Sequence, residues 1–85
     1  MVIGFVLMHI MAGHEYEVYN KLSKVPDVVE LYPLFGEYDL IAKIEANDFE
    51  DIINIVTNKI KSIYGITDTE TLTGRNVNNV FTSKT

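Results

Sequence analysis

The sequence predicts an α+β domain of order βαββαβ, with a four-stranded antiparallel sheet and two helices on one face of it. Three observations carry the expectation. The stretch from Val2 to Met11 is apolar at both alternating sets of positions. The stretch VVELYPLFGEYDLIAKIE, from Val28 to Glu45, places two β-rich runs on either side of Gly36-Glu37. Two further segments carry apolar residues at helical spacing, and each follows a strand. These make two strand–helix–strand halves joined at a hairpin, the split βαβ or ferredoxin-like arrangement. Right-handed crossovers put the first and third strands in the middle of the sheet and the second and fourth at its edges. No third layer is left for the other sheet face, so that open face is expected to pack against a second copy.

From Val2 to Met11, one side carries Ile3, Phe5, Leu7 and Met11 and the other Val2, Val6, Met8 and Ile10, as a central strand covered on both faces requires. Ala12-Gly13 breaks the run. His14 to Lys24 holds Val18 and Leu22 at helical spacing, with Tyr19 and Val25 extending the stripe, and Val25-Pro26-Asp27 ends it. A glycine in the first position of a two-residue loop suits a type II′ turn at Gly36-Glu37. That turn pairs Phe35 with Tyr38, Leu34 with Asp39, Pro33 with Leu40, Tyr32 with Ile41, Leu31 with Ala42 and Glu30 with Lys43. Alternation then sends Val29, Leu31, Pro33, Phe35, Tyr38, Leu40, Ala42 and Ile44 to the core. The other face receives Val28, Glu30, Tyr32, Leu34, Asp39, Ile41, Lys43 and Glu45, with Glu30 and Lys43 as a cross-strand ion pair. It is too apolar for a face meant only for water, and Tyr32, Leu34 and Ile41 are the expected dimer contacts.

Asp48 reads as the N-cap of a second helix from about Phe49 to Tyr64, with Phe49, Ile52, Ile53, Val56, Ile60 and Ile63 as its apolar stripe and Gly65 as its left-handed stop. Ile66 to Thr73 alternates threonines with Asp68, Glu70 and Leu72, a pattern typical of an edge strand. Residues 1–74 are thus expected to form the domain and 75–85 a tail, either a short extra strand or an arm on a neighbouring subunit.

Composition narrows the functions. An 85-residue chain is one domain, and folding at this size buries only about 60–65% of the unfolded surface, so oligomerisation is an expected source of stability. The chain has no cysteine, which removes disulfides, thiolate metal sites and a thiol nucleophile, and fits a reducing, cytoplasmic setting. A net charge of −5 with only seven Lys+Arg argues against direct nucleic-acid binding. The apolar N-terminus lacks a preceding cation and falls short of the roughly 20 residues needed to span a bilayer.

The segments AGHEYEVYNKL, VPDVVELYPLFGEYDLIAKIEANDFEDI and KSIYGITDTETLT, which together run through most of Val2 to Thr73, resemble the RAM domain, the amino-acid-sensing C-terminal half of Lrp/AsnC transcriptional regulators. The most specific element is Gly36-Glu37-Tyr38-Asp39 between two apolar strands, matching the family's Gly-x-Tyr/Phe-Asp hairpin. The Gly13 lead-in to the first helix, Val25-Pro26-Asp27-Val28 and Gly65-Ile66 support it. Full-length members carry an N-terminal helix-turn-helix, whereas the RAM pattern here starts at Val2, so the chain resembles a stand-alone RAM protein or a cut-down piece of a longer one. The resemblance implies sheet-to-sheet homodimers, octameric rings, a free amino acid as effector bound between dimers, and co-assembly with full-length Lrp/AsnC-type regulators. It implies no catalysis and no cofactor. DNA binding, which belongs to the absent half, does not carry over.

Matched residue by residue, the resemblance makes Gly36, Glu37, Tyr38 and Asp39 ligand contacts, with hydroxyls from Thr69 and Thr71. An amino acid's ammonium needs carboxylate or carbonyl acceptors, and its carboxylate needs N–H or hydroxyl donors. The plainer reading makes Gly36 a turn residue, Asp39 a hairpin brace and the threonines strand formers. His9 and His14 lack a metal-ligand spacing, and the acidic residues beside the helix starts suit the helix dipole. Two rival readings share the element order: a dimeric α+β barrel enzyme of the cofactor-independent monooxygenase or haem-degrading type, and an ACT-type domain with sheets packed side by side. The enzyme would need polar groups on the core face, where the sequence offers Tyr38 and His9.

Overall fold

The computed structural model describes residues 1–75; Arg75, the first residue of the expected tail, belongs to the last strand, and the rest of that tail lies outside the described residues. Four strands, β1 (Val2–Ile10), β2 (Val28–Pro33), β3 (Leu40–Ala46) and β4 (Ile66–Arg75), form one antiparallel sheet in the order β2-β3-β1-β4. The helices α1 (Glu15–Ser23) and α2 (Phe49–Ile55) follow β1 and β3, and α2 continues as a π-helical turn over Val56–Ile60. The ferredoxin-like expectation holds, with β1 and β3 central.

The core is apolar throughout the described residues. Val6, Met8, Leu40, Ala42 and Ile44 from the sheet meet Val18, Leu22, Ile52 and Ile60 from the helical side, all with no exposure, and no polar or charged residue is buried with them. Cutting one of the larger of these back to alanine would cost about 2–5 kcal/mol. In β1 the helix-facing set is Val2, Gly4, Val6, Met8 and Ile10, which leaves Ile3, Phe5, Leu7 and His9 on the open face.

The observed hairpin register is the expected one from Glu30–Lys43 to Pro33–Leu40, and the Glu30–Lys43 pair forms at 3.6 Å. Three placements differ. A register shift between Val28 and Glu30 turns Val28 onto the core and leaves Val29 45% exposed, because one extra residue in a ladder reverses the alternation. The ladder closes at Leu34 N–H to Asp39 O, 2.9 Å, and residues 34–39 form a loop rather than a two-residue turn. Past that bond nothing imposes alternation. Phe35 is fully exposed and Tyr38 swings over His9, neither joining the core.

Asp48 caps α2 as expected, its Oδ1 accepting from the Asp51 N–H at 2.8 Å. The apolar stripe is shifted: Ile52, Ile55, Val56, Ile60 and Ile63 are buried, while Phe49 and Ile53 are exposed. Lys61 N–H reaches Val56 O at 2.8 Å, a five-residue span, and the wider turn keeps Ile60 and Ile63 in line with Ile52. The helical segment ends at Ile60 with Lys61 as its C-cap, short of the expected Tyr64, and Gly65 is a turn residue before β4 rather than the helix stop. It takes φ +106°, and a Cβ there would lie 3.0 Å from Val18 Cγ2, so its lack of a side chain lets α1 lie close.

Candidate functional site

The sheet pairings concentrate polar groups at one end. His9, the last residue but one of β1, pairs with Asp68 of β4, and the loop 34–39 folds over the same end. Gly36 sits at φ +122°, where glycine carries no steric penalty, and nothing lies within 4 Å of where its Cβ would be. Glycine is therefore required there by backbone shape rather than by crowding.

His9 ties the loop to β4. Its Nδ1 lies 2.8 Å from Asp68 Oδ2 and its Nε2 2.6 Å from the Glu37 carbonyl oxygen. Both neighbours are acceptors, so only the imidazolium satisfies both contacts. The hydrogen bond to Asp68, then that to the Glu37 carbonyl, raise the His9 pKa above 6.5, and the Asp68 and Asp39 charges add to this. The Tyr38 ring stacks on the imidazole with centroids 4.6 Å apart and planes 18° apart. Its hydroxyl donates to Glu70 Oε1 at 2.5 Å, and that bond, with desolvation next, pushes the phenol up to about 12.

Asp39 is committed to the frame. Its N–H donates to Met8 O at 2.9 Å and its Oδ2 accepts from Ile10 N–H at 2.8 Å. The carboxylate thus serves the N–H beside the His9/Ile10 bulge. The Glu37 carbonyl is taken by His9, whereas its carboxylate has no hydrogen-bond or ion-pair partner among the described residues.

Thr69 and Thr71 stand elsewhere. They pair with Met8 and Val6 and so face the helices, half-buried. With Ile53, Val56, Thr57 and Lys61 they line a cleft of about 220 Å³. Within one chain the structure brings Gly36, Glu37, Tyr38 and Asp39 together, and places the two threonines on the opposite sheet face. His9, Asp68 and Glu70 join the first group, and sequence reasoning missed them. Of the expected dimer contacts, Tyr32 and Ile41 face each other on the open face, and Leu34 lies just past the end of β2, half-buried. His14 pairs with Glu17 at 3.1 Å, and no cluster of three or more metal-ligating side chains occurs among the described residues. Among them no helix is long and apolar enough to cross a membrane.

Fold and site define the class first: a ferredoxin-like α+β domain with one sheet face bare, apolar apart from charges such as the Glu30–Lys43 pair, and a cluster of polar groups at a hairpin tip. The family follows from comparison. Residues 4–73 match the model of the Lrp/AsnC ligand binding domain, and the chain belongs to that family. It is 35% identical over 71 residues to the HTH-type transcriptional regulator FL11 of Pyrococcus furiosus, covering 84% of this chain and 46% of the regulator. The chain thus spans about half the length of the curated relatives it matches. Among solved structures, FFRP-DM1 superposes with a TM-score of 0.83 at 41% identity, covering 88% of this chain and 100% of that one. The transcriptional regulator NMB0573 of Neisseria meningitidis, solved as an L-Met complex, shares the fold, with a TM-score of 0.81 at 18% identity over 88% of this chain and 50% of that one.

Proposed function

We propose that this chain is a non-catalytic regulatory module that binds a free amino acid between subunits and assembles through its open sheet face. In this reading it forms dimers and then octamers, works in the cytoplasm, and modulates transcription through full-length Lrp/AsnC-type partners. The observation that carries it is the split of the candidate residues across the sheet. Gly36, Glu37, Tyr38 and Asp39 lie at the tip, and Thr69 and Thr71 lie on the helix side. A ligand the size of an amino acid touches both groups only where two copies meet. The Glu37 carboxylate and the Gly36 main chain suit an ammonium and a close backbone approach, and the threonine hydroxyls suit a carboxylate. The L-Met complex of a regulator of the same fold supports the ligand class. The wholly apolar core of the described residues supports a non-catalytic reading.

A site completed by assembly couples the two events, so the ligand strengthens assembly and assembly strengthens ligand binding by the same factor. The test is to titrate each of the common amino acids while following heat of binding, melting temperature and mass by light scattering. One or a few should bind, and at a hundred times its dissociation constant such a ligand adds about 2.7 kcal/mol of stability. Glu37→Gln should weaken that binding without lowering the melting temperature of the free protein. Silence in all three readouts across the set sinks the sensing function.

A further inference from the structure

The 34–39 loop is anchored at its two ends. Leu34 N–H closes it onto Asp39 O, and Asp39 fastens that end to β1 through Met8 O and the Ile10 N–H. Between them the main chain of Gly36 and Glu37 bends free, with nothing within 4 Å of where a Gly36 Cβ would stand. Among the described residues, the hydrogen bond that fixes this stretch runs from His9 Nε2 to the Glu37 carbonyl oxygen, at 2.6 Å.

One protonation state of His9 can make that bond while also serving β4. The imidazolium donates from Nδ1 to Asp68 Oδ2 at 2.8 Å and from Nε2 to the Glu37 carbonyl. A neutral ring has a single N–H. The bond to a carboxylate is the stronger of the two, so Nδ1 keeps the hydrogen and the Nε2 lone pair is left facing the carbonyl oxygen. Two acceptors at that distance repel, and the carbonyl moves away. The Tyr38 ring, stacked with its centroid 4.6 Å from the imidazole, adds to the same preference, because its π face attracts a cation.

We propose that His9 is a positioning residue of the effector site: as the imidazolium it holds the Glu37 main chain in the shape that receives the amino acid, so effector binding takes up a proton. This rests on the sensing role proposed above and adds its regulation. The titratable groups facing the ring are Asp68 and Glu70 of β4 with Glu37, Tyr38 and Asp39 of the loop. Four are carboxylates, so the charge on His9 sits in an acidic surround and the tip still attracts an ammonium. The bonds to Asp68 and the Glu37 carbonyl raise the ring above its usual 6.5. Affinity is therefore full below that raised value. It falls as pH climbs through it, because a neutral His9 leaves the loop to be ordered by the ligand itself.

The experiment uses the full chain and the amino acid that the titration above identifies. Heat of binding is measured from pH 5.5 to 8.5, a range over which the effector's own ammonium and carboxylate stay charged. At pH 7.5 it is repeated in phosphate and in Tris, whose different ionisation heats report the protons taken up. Wild type should lose about tenfold in affinity across the range, the order expected for one hydrogen bond to a charged group, and should take up a fraction of a proton. His9→Gln keeps a donor but does not titrate, and should show a flat profile and no uptake. His14→Gln removes the chain's other histidine and should keep the wild-type slope. A flat wild-type profile, or a wild-type slope in His9→Gln, overturns the proposal. The loop is also followed without ligand. Protection of the Leu34 and Asp39 N–H groups against hydrogen exchange should fall with rising pH in wild type and hold in His9→Gln. Constant protection in wild type overturns the proposal as well. If no amino acid binds, the sensing role fails while the exchange profile still decides the His9 latch, so the two failures are distinguishable.

Discussion

At His9 a single side chain holds three segments: β1 by its backbone, β4 through Asp68, and the 34–39 loop through the Glu37 carbonyl and the Tyr38 ring. The titratable groups around it are Asp68 and Glu70 of β4 with Glu37, Tyr38 and Asp39 of the loop, and none of them is a cation at neutral pH. Raised above 6.5 in the folded state, the imidazole favours folding most when protonated. Its contribution is complete below about 6.5, the unfolded value, and is lost as pH rises through the higher folded value. Wild type should therefore lose melting temperature relative to His9→Gln across that window, the gap being widest at acid pH. Parallel melting curves from pH 5 to 9 would show that His9 does not couple the loop to β4. Little of this was legible in sequence, because Asp68 and Glu37 stand 59 and 28 positions from His9 and only the β1–β4 register brings them together. Once Val2 pairs with Arg75, however, alternation alone puts His9 opposite Asp68.

Among the elements, α2 packs tightly on β1 at Gly4. A Cβ there would lie 3.0 Å from both Ile44 Cγ1 and Ile52 Cγ2, so any side chain at this position makes the two isoleucines give by a few tenths of an ångström. Gly4→Ala forces two fully buried isoleucines aside, and overpacking of that kind costs about 1–3 kcal/mol. Urea unfolding should show the loss as a lower midpoint with an unchanged slope. A neutral or stabilising result would mean that the packing relaxes freely there. The strand pattern made β1 legible as a central strand but not the role of this glycine, since alternation gives a face and not the distance to the layer above. The hairpin teaches the same limit. Its register from Glu30 to Pro33 followed from pattern, whereas Val29 and Phe35 were misplaced where a bulge and a longer loop end the ladder. In α2 the pattern misjudged the buried face as well, since Ile55 is buried and Ile53 exposed.

On the scale of the whole molecule, element order and strand polarity were enough to read the architecture, because each apolar stripe has few partners and the crossover rule leaves few topologies. The ligand site was less legible, since residues divided between two sheet faces give no local signal in one chain. The open face is where the physics of a single chain points outward most clearly. Pairings align Tyr32, Ile41 and Leu7 in one row that ends at Glu70, and Phe5 and Leu72 in the next beside the Glu30–Lys43 pair, and Leu72 remains 52% exposed. Should two such faces meet about a two-fold axis, a charge placed on the face is buried twice. Leu72→Glu then costs several kcal/mol of desolvation and repulsion, raising the dimer dissociation constant by at least about 100-fold. Light scattering should show a monomer, and a melting temperature that rises with wild-type concentration should become independent of concentration in the variant. Asn54→Lys on the exposed side of α2 serves as the control and should leave both unchanged. An ACT-type arrangement, with sheets joined side by side through the β4 edge, relies on backbone pairing and would tolerate Leu72→Glu much better. A variant that stays dimeric at wild-type affinity would therefore move the interface from the face of the sheet to its edge.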